Sequence, residues 1–276
     1  MTPQRQNHTI VNGSSELKRA CVLVLALVVL AFGHSAAGAK DWNTIRIGVE
    51  GAYPPFSSLT ADGTLAGFDI DIARALCAEM GAECTLVQQD WDGIIPALMA
   101  RKYDAIIASM SITPERKKKV AFTVKYYQVP ARFGRKKGSG IEINDAGMKG
   151  KVVGVQRATT HDNFITGKFG SSVEIKRYAT QGEAYLDAAS GRLDLLLADS
   201  VALKDGFLDT DNGKDWEFVG PGYTEVKYFG EGAGIAVSKK NQDLVDQLNK
   251  AIKAIRANGT YQKINAKYFE FDVFGG

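Results

Sequence analysis

The chain has 276 residues, of which 45% are hydrophobic and 24% are charged, and its formal net charge at pH 7 is +3. That length accommodates one large domain or two modest ones. With 34 basic residues against 31 acidic ones, the charges nearly balance, which argues against nucleic acid as a partner.

The N-terminal segment has the composition of a secretory signal peptide. Lys18 and Arg19 precede an apolar run over residues 21–32, and small residues follow it. This order predicts that residues 1–39 are a signal peptide, cleaved near Ala39/Lys40, and that the protein is exported to the periplasm. The apolar run is shorter than the roughly 20 residues that span a bilayer, and an uncleaved anchor is the alternative.

Two cysteines, Cys77 and Cys84, follow the leader, one late in a predicted helix and the other just past the turn at Gly81. An even pair in an exported protein indicates a disulfide, and two buried free thiols are the alternative. His161 is the one histidine after the leader and is distant from both cysteines in sequence. We therefore predict neither a metal site nor a cofactor.

Strands and helices alternate along the first part of the exported chain. Apolar runs predict strands at residues 45–49, 84–88 and 105–108, and helical periodicity predicts helices at about residues 69–80 and 94–101. The turn Asp62-Gly63 is typical of a hairpin. Alternation of this kind indicates a parallel sheet covered by helices.

The stretch YDAIIASMSITPER at residues 103–116 combines features of an anion site. A buried strand leads to Ser109 and Ser111, and Thr113 is expected to cap the helix that follows. Arg116 would lie in the first helical turn, where the positive end of the helix dipole disfavours a cation. Free N–H groups, hydroxyls and a guanidinium together predict a carboxylate site, and an exposed basic helix start is the alternative.

A second alternation follows an extended crossing segment at residues 127–131. It predicts strands at 151–155, 173–178, 193–198 and 234–237, and helices at 161–166 (ended by Gly167), 183–189 and 243–257. In open α/β sheets, ligands bind beyond the carboxyl ends of the strands. Two such halves facing each other would therefore enclose a cleft.

Four motifs together resemble one family: GFDID at 67–71, WDGIIPAL at 91–98, DAIIASMSITPER at 104–116 and NGTYQKINAKYF at 258–269. Over essentially the whole exported chain, the sequence resembles the extracytoplasmic amino-acid-binding proteins of bacterial ABC importers. The most similar branch is the lysine/arginine/ornithine- and histidine-binding group, with the opine and arginine binders nearby.

The resemblance implies the α/β, two-lobe periplasmic-binding-protein fold of type II, with two hinge crossings and a ligand cleft between the lobes. It places lobe 1 at residues 40–128 and 232–276 and lobe 2 at residues 129–231. The crossings fall near residues 127–131 and 229–233.

The resemblance also assigns partners to the ligand's α-carboxylate and α-ammonium. Arg116 matches the arginine that grips the carboxylate, and Asp199 matches the carboxylate that accepts the ammonium. Matching hydroxyl residues lie beside them: Ser111, Thr159 and Thr160 near the carboxylate, and Ser109 near the ammonium. A carboxylate at a strand end also needs a cationic partner on physical grounds, and a helix N-cap is the alternative for Asp199.

Three further residues match positions that receive the ligand's side chain. Glu50 stands at the acidic position that meets the distal cation, where other basic-amino-acid binders carry aspartate. Tyr53 and Trp91 match the two aromatics that sandwich the side chain, and ordinary core packing is the alternative for both.

Several positions depart from the family pattern. Ala108 replaces a serine that is common in the lysine and histidine binders, and His161 stands where those proteins often carry glutamine. Trp91 is larger than the residue typical of histidine binders and is similar to the residue at this position in the opine branch. Gln156 and Arg157 also differ from the family pattern. These departures leave the identity of the ligand open: it is arginine, ornithine, lysine, histidine or an opine.

The predicted function is capture of a cationic L-amino acid and its delivery to an ABC permease. The expected partners are this ligand and the permease's transmembrane subunits at the membrane surface, with the binding protein itself a monomer and not an enzyme. The alternative is an exported cyclohexadienyl or arogenate-type dehydratase of the same fold, with Glu50 or His161 as the general acid. Glu50 beside two aromatics suits a cation better than a diacid.

Overall fold

The structure, a computed structural model, describes residues 1–5 and 41–275. The apolar run and the cleavage position of the predicted signal peptide lie outside the described residues. Within the described ranges, no helix is long and apolar enough to cross a membrane. The residues from Asp41 onward form one compact unit, which is built on two five-stranded sheets and one small three-stranded sheet.

The first large sheet is formed by β1 (Thr44–Val49), β5 (Glu83–Gln88), β6 (Ala105–Ile106), β7 (Ala121–Tyr127) and β13 (Ala233–Val237). Their order is β5-β1-β6-β13-β7. β1 runs parallel to β5 and β6, whereas β13 is antiparallel to β6 and β7. The carboxyl ends of β1 and β6 therefore meet at the same edge of the sheet.

Five helices accompany this sheet: α1 (Phe68–Met80), α2 (Ile94–Met99), α3 (Pro114–Lys119), α9 (Gln242–Ala257) and α10 (Thr260–Tyr268). The long helix α9 packs against α1 and β7. It buries Leu244, Leu248 and Ile252, which recur at helical spacing. The small sheet of β2 (Ala52–Tyr53), β3 (Ser57–Leu59) and β4 (Leu65–Ala66) leads into α1.

The second large sheet is formed by β8 (Ala131–Lys136), β9 (Val152–Gln156), β10 (Glu174–Tyr178), β11 (Leu195–Asp199) and β12 (Trp216–Tyr223). Their order is β10-β9-β11-β8-β12, and β9 runs parallel to both β10 and β11. Its helices are α4 (Asp145–Met148), α5 (Thr160–Phe169), α6 (Gln181–Ala189), α7 (Ser200–Leu203) and α8 (Val226–Phe229). The chain crosses from the first sheet to the second after β7 and returns before β13.

Several predicted boundaries differ from the structure, and the contacts explain two of these differences. Gly167 does not end its helix, because α5 continues to Phe169. A Cβ at Gly167 would lie only 3.0 Å from Tyr228 Oη, so this glycine allows α8 to approach closely. The strand predicted at residues 105–108 stops at Ile106, and the chain then turns at Ser109, whose φ is 51°.

The predicted disulfide is confirmed: Cys77 near the end of α1 is bonded to Cys84 in β5, seven residues along the chain. Gly81 lies between them with a left-handed backbone (φ 64°), a conformation that favours glycine and reverses the chain after a helix. The alternative of two free thiols is therefore wrong.

Replacing both cysteines by serine is expected to lower the free energy of unfolding by about 2.5 kcal/mol, because the bond closes a short loop in the unfolded chain. Urea denaturation of ligand-free protein measures the difference. Reduced wild-type protein should show the same loss, and a loss below about 0.5 kcal/mol in both samples would contradict this expectation.

Candidate functional site

A cavity lies where loops from both large sheets meet. All nine residues predicted to bind a ligand line it, and three further residues complete its wall. The predicted residues are Glu50, Tyr53, Trp91, Ser109, Ser111, Arg116, Thr159, Thr160 and Asp199, and the others are Ala108, Gln156 and His161. The structure thus brings the whole predicted set together, while the ligand contacts themselves stay predictions.

The strand ends explain this convergence. Glu50 directly follows β1, and Ser109 follows β6 in the first sheet, whereas Gln156 ends β9 and Asp199 ends β11 in the second. Each pair stands at the carboxyl ends of parallel strands, the edge at which ligands bind in open α/β sheets.

Arg116 supplies a guanidinium to the cavity. Its backbone N–H donates to Thr113 Oγ1 at 3.2 Å, which confirms the predicted cap of α3. Nη1 donates to the carbonyl oxygen of Ser111 at 3.0 Å, and the guanidinium lies over the Trp91 ring, 5.2 Å from its centroid. Among residues 1–5 and 41–275, no carboxylate lies within 4.0 Å of this guanidinium, so its charge is available to an anion.

Burial lowers the pKa of Arg116 to about 10, although Glu115 and Asp199 oppose the shift. The direction shows that the cavity disfavours an uncompensated cation at this position. An anionic ligand would relieve that cost. The alternative of an exposed basic helix start is wrong for Arg116, which is half-buried, whereas Lys117, Lys118 and Lys119 are exposed.

Asp199 occupies the N-cap position of α7, yet its side chain makes no capping hydrogen bond. The N-cap alternative is therefore wrong. Instead, Oδ2 accepts a hydrogen bond from Tyr53 Oη at 3.1 Å. Oδ1 lies 3.2 Å from His161 Nε2, although this nitrogen has no hydrogen-bond partner in the described part of the chain. The carboxylate thus faces the cavity with no lysine or arginine of the described residues beside it.

Ser109 is held in its left-handed conformation by two buried residues that the sequence analysis missed, Asp69 and Tyr126. Ser109 Oγ donates to Asp69 Oδ2 at 2.9 Å, and the Ser109 N–H donates to Tyr126 Oη at 3.1 Å. Tyr126 Oη in turn donates to Asp69 Oδ1 at 2.8 Å. Because the Ser109 proton points to Asp69, the hydroxyl lone pairs are left to accept a donor from the cavity.

Burial raises the pKa of Asp69 to about 7, and the hydrogen bonds from Tyr126 and Ser109 oppose that shift. The only sequence signal for this residue was its place in the motif GFDID. An acidic side chain on the buried face of α1 is otherwise unexpected, since a buried carboxyl is costly without hydrogen-bond partners.

Glu50 is 6% exposed, and its Oε1 accepts a hydrogen bond from Gln156 Nε2 at 2.6 Å. Burial is the main cause that raises the pKa of Glu50 to about 7, with Asp90 and Asp92 adding to it and Gln156 opposing it. Ionised Glu50 therefore lacks a compensating cation. A cation entering the cavity would supply it.

The start of α5 forms the wall that the second sheet contributes. Thr159 caps this helix, with Oγ1 accepting the Asp162 N–H at 3.1 Å and donating to the Gln156 carbonyl at 2.7 Å. Its hydroxyl is therefore engaged within the protein. Thr160 begins the helix, and backbone N–H groups in a first helical turn have no acceptor within the helix.

Four polar contacts join the two halves around the cavity. Tyr53 bonds to Asp199, Glu50 bonds to Gln156, and Trp91 Nε1 donates to the Ala158 carbonyl at 3.2 Å. At the rim, Asp92 and Arg157 form an ion pair. These contacts enclose the cavity between the two sheets.

Residues 45–271 match the family described as bacterial extracellular solute-binding proteins, family 3. The chain belongs to this family. Membership confirms the predicted resemblance and the type II periplasmic-binding-protein fold.

Two curated relatives and one solved structure illustrate the similarity. An L-arginine-binding protein from Pseudomonas aeruginosa is 52% identical over 259 residues, covering 94% of this chain and 98% of that protein. A lysine/arginine/ornithine-binding periplasmic protein from Escherichia coli is 40% identical over 260 residues, covering 94% of this chain and 100% of that protein. A Salmonella typhimurium periplasmic binding protein described as highly arginine-specific has a TM-score of 0.76 at 33% identity, covering 82% of this chain and 99% of that one.

These relatives are binding proteins, and the prediction that this family member is not an enzyme is confirmed. The dehydratase alternative is not favoured.

Proposed function

We propose that the protein captures a cationic L-amino acid, arginine first among the candidates, in the cavity between the two sheets. One observation carries this proposal: Arg116 from the first half and Asp199 from the second line the same cavity, and neither has an ion-pair partner of the opposite fixed charge among the described residues. A zwitterion supplies both missing charges at once.

Glu50, the third charged residue of the cavity, would determine which ligand side chains can bind. Arg116 would take the α-carboxylate together with Ser111 and the N–H groups at Thr160, beside Thr159. Asp199 and the Ser109 hydroxyl would take the α-ammonium. Glu50 would then meet the ligand's distal cation, and cation–π contacts with Tyr53 and Trp91 would add about 0.5–2 kcal/mol each.

The names of the relatives support the same ligand class. The relative with 52% identity is an L-arginine-binding protein, and the one with 40% identity is named for lysine, arginine and ornithine. A neutral amino acid would leave Glu50 without a cation in an enclosed cavity. The carboxyl would then stay ionised at a cost in free energy or take up a proton, and in either case the ligand would gain no ion pair with it.

The wider role follows from the family. Residues 1–39 would direct export and be removed near Ala39/Lys40, so that the mature protein works in the periplasm as a monomer. The lobes, residues 40–128 with 232–276 and residues 129–231, would close around the ligand by hinge motion. The closed form would then deliver it to the transmembrane subunits of an ABC permease.

Mass spectrometry of small molecules released from denatured, purified protein tests the ligand class directly. Arginine, ornithine or lysine should be recovered, and the same compounds should raise the melting temperature in a thermal-shift screen. A ligand at 100 times its Kd stabilises the folded state by about 2.7 kcal/mol. If no basic amino acid shifted the melting temperature while prephenate or arogenate was turned over, the dehydratase hypothesis would replace this proposal.

Arginine affinity is expected to rise with pH up to about pH 8, because the ligand binds ionised Glu50. In the empty cavity the pKa of Glu50 is about 7, so below pH 7 binding must release a proton, and affinity should fall by up to about tenfold per pH unit. Calorimetry at pH 6, 7 and 8 measures this slope.

The variant Glu50→Gln should bind arginine about 100-fold more weakly at pH 8 and should lose the slope. Asp69 also has a pKa near 7 but does not line the cavity. A slope that survived in Glu50→Gln would assign the titration to another group and remove Glu50 from the distal-cation position.

A further inference from the structure

Gln156 occupies a position with no assigned role, in direct contact with Glu50 across the cavity. Its side chain is 3% exposed. Nε2 donates both of its protons, one to Glu50 Oε1 at 2.6 Å and one to the Ala179 carbonyl at 3.1 Å. Because both partners are acceptors, the amide orientation is fixed: the nitrogen faces Glu50 and Ala179, and Oε1 is turned away from them.

Two acceptor atoms at this end of the cavity remain without a donor. Of the described residues, none donates a hydrogen bond to Gln156 Oε1 or to Glu50 Oε2. Neither oxygen is fully enclosed by protein atoms, so each can accept a hydrogen bond from a donor that enters the cavity. Their side chains line the cavity, so a ligand with several N–H groups is the natural source of donors.

We propose that Gln156 is a specificity-determining residue that, together with Glu50, selects a guanidinium over an ammonium at the distal end of the ligand. This inference rests on the proposed function and narrows it to arginine-like ligands. A guanidinium would donate one N–H to Glu50 Oε2 and another to Gln156 Oε1, each from a different nitrogen of its planar fork.

A guanidinium and an ammonium differ both in hydration and in the geometry of their hydrogen-bond donors. An ammonium is a compact, strongly hydrated charge, whereas a guanidinium is more weakly hydrated and presents five N–H donors in fixed directions. Glu50 and Gln156 are both at least nine-tenths buried. Entry into this site therefore costs a lysine or ornithine side chain more hydration and satisfies the two acceptors less well.

The backbone around Gln156 keeps this amide in place. Gln156 is the last residue of β9, paired with Tyr178 in β10, and its carbonyl accepts the Thr159 hydroxyl at 2.7 Å. Glu50 belongs to the first half and Gln156 to the second. The two-acceptor site is consequently complete only when the halves meet, so a guanidinium also favours the closed arrangement.

Calorimetry of the variant Gln156→Leu at pH 8 with L-arginine, L-lysine and L-ornithine tests the proposal. Arginine affinity should fall by about ten- to a hundredfold, the effect of one hydrogen bond to a charged group. The affinities for lysine and ornithine should change by less than about threefold, so the arginine-to-lysine ratio should fall at least about tenfold. Gln156→Met, unbranched and similar in length, repeats the measurement if the leucine variant does not fold.

Gln181→Leu is the matched control. Gln181 is 2% exposed and lies in the same half at the start of α6, but it does not line the cavity, so all three affinities should stay unchanged.

Equal losses for arginine and lysine in Gln156→Leu would mean that Gln156 only orients Glu50 and would overturn the proposal. An unchanged arginine affinity would also overturn it. Wild-type protein that bound none of the three amino acids would instead refute the proposed function itself, so the two failures are distinguishable.

Discussion

Replacing Asp199 by asparagine should weaken arginine binding by about 3–5 kcal/mol, a factor of roughly 100 to 5,000, because the α-ammonium would be buried without its counter-charge. The substitution preserves shape, and the asparagine oxygen can still accept the Tyr53 hydroxyl, so the fold should be unaffected. Calorimetry gives the affinity, and urea denaturation of ligand-free protein shows whether stability has changed. Every α-amino acid should lose affinity, since all of them share the ammonium.

A ligand that lacks the α-ammonium shows whether the loss of affinity comes from the contact between Asp199 and that ammonium. Deamino-arginine should bind wild-type protein about as weakly as arginine binds Asp199→Asn, and combining the two changes should cost little more than either alone. Asp205→Asn, an exposed carboxylate six residues along the chain, should leave arginine affinity unchanged. If Asp199→Asn bound arginine normally, the carboxylate would not be the ammonium's partner, and the charge pairing that supports the proposed function would be lost.

The sequence predicted the features that depend on neighbours in the chain. Helical periodicity located α1 and α9 to within one residue at each end. The cap at Thr113 and the disulfide after Gly81 were also predictable, because capping and chain reversal depend on a few consecutive residues. Ser109, Ser111 and Arg116 were predicted from the local pattern of residues 103–116 as well as from the family resemblance. The other six cavity residues came from the resemblance alone, which carries information that single-sequence patterns do not.

Contacts between distant segments could not be predicted. Gln156 and Glu50 are separated by 106 residues, and nothing local to either indicates that the amide meets the carboxylate. The antiparallel strands β8 and β12 and the last helix α10 were missed for a related reason. β8 and β12 depend on strand pairing within the second sheet, and α10 depends on packing against α1 and α9. Such tertiary contacts override weak local propensity.

Ser109 shows how local and distant effects combine. The sequence predicted a continued strand because Ile107 and Ala108 are apolar, but Ser109 adopts a left-handed φ of 51°. Such a conformation is uncommon for a residue with a side chain and persists only where the surroundings enforce it. Here Asp69 and Tyr126 enforce it from α1 and β7, and the result is a hydroxyl turned towards the cavity beside Ser111.

The variant Arg116→Met should lose about 2–5 kcal/mol of arginine binding, roughly 30- to 5,000-fold, because the ligand's carboxylate would be enclosed without its bidentate partner. Lys118→Met removes a positive charge from an exposed position on the same helix α3. It should leave affinity unchanged, so that a long-range effect of net charge is separated from direct contact. Calorimetry with arginine and lysine measures both variants, and the two ligands should lose equally because they share the carboxylate.

For agmatine, which is arginine without its carboxylate, the expected effect of Arg116→Met on affinity has the opposite sign. In wild-type protein, bound agmatine would leave the Arg116 guanidinium without an anion in an enclosed cavity, where burial already lowers its pKa to about 10. Methionine removes that unpaired charge, so Arg116→Met should bind agmatine as well as wild-type protein does, or better. A variant that lost arginine and agmatine alike would show that Arg116 maintains the shape of the cavity through Ser111 and Trp91. Only a carboxylate contact gives opposite responses to two ligands that differ in that group alone.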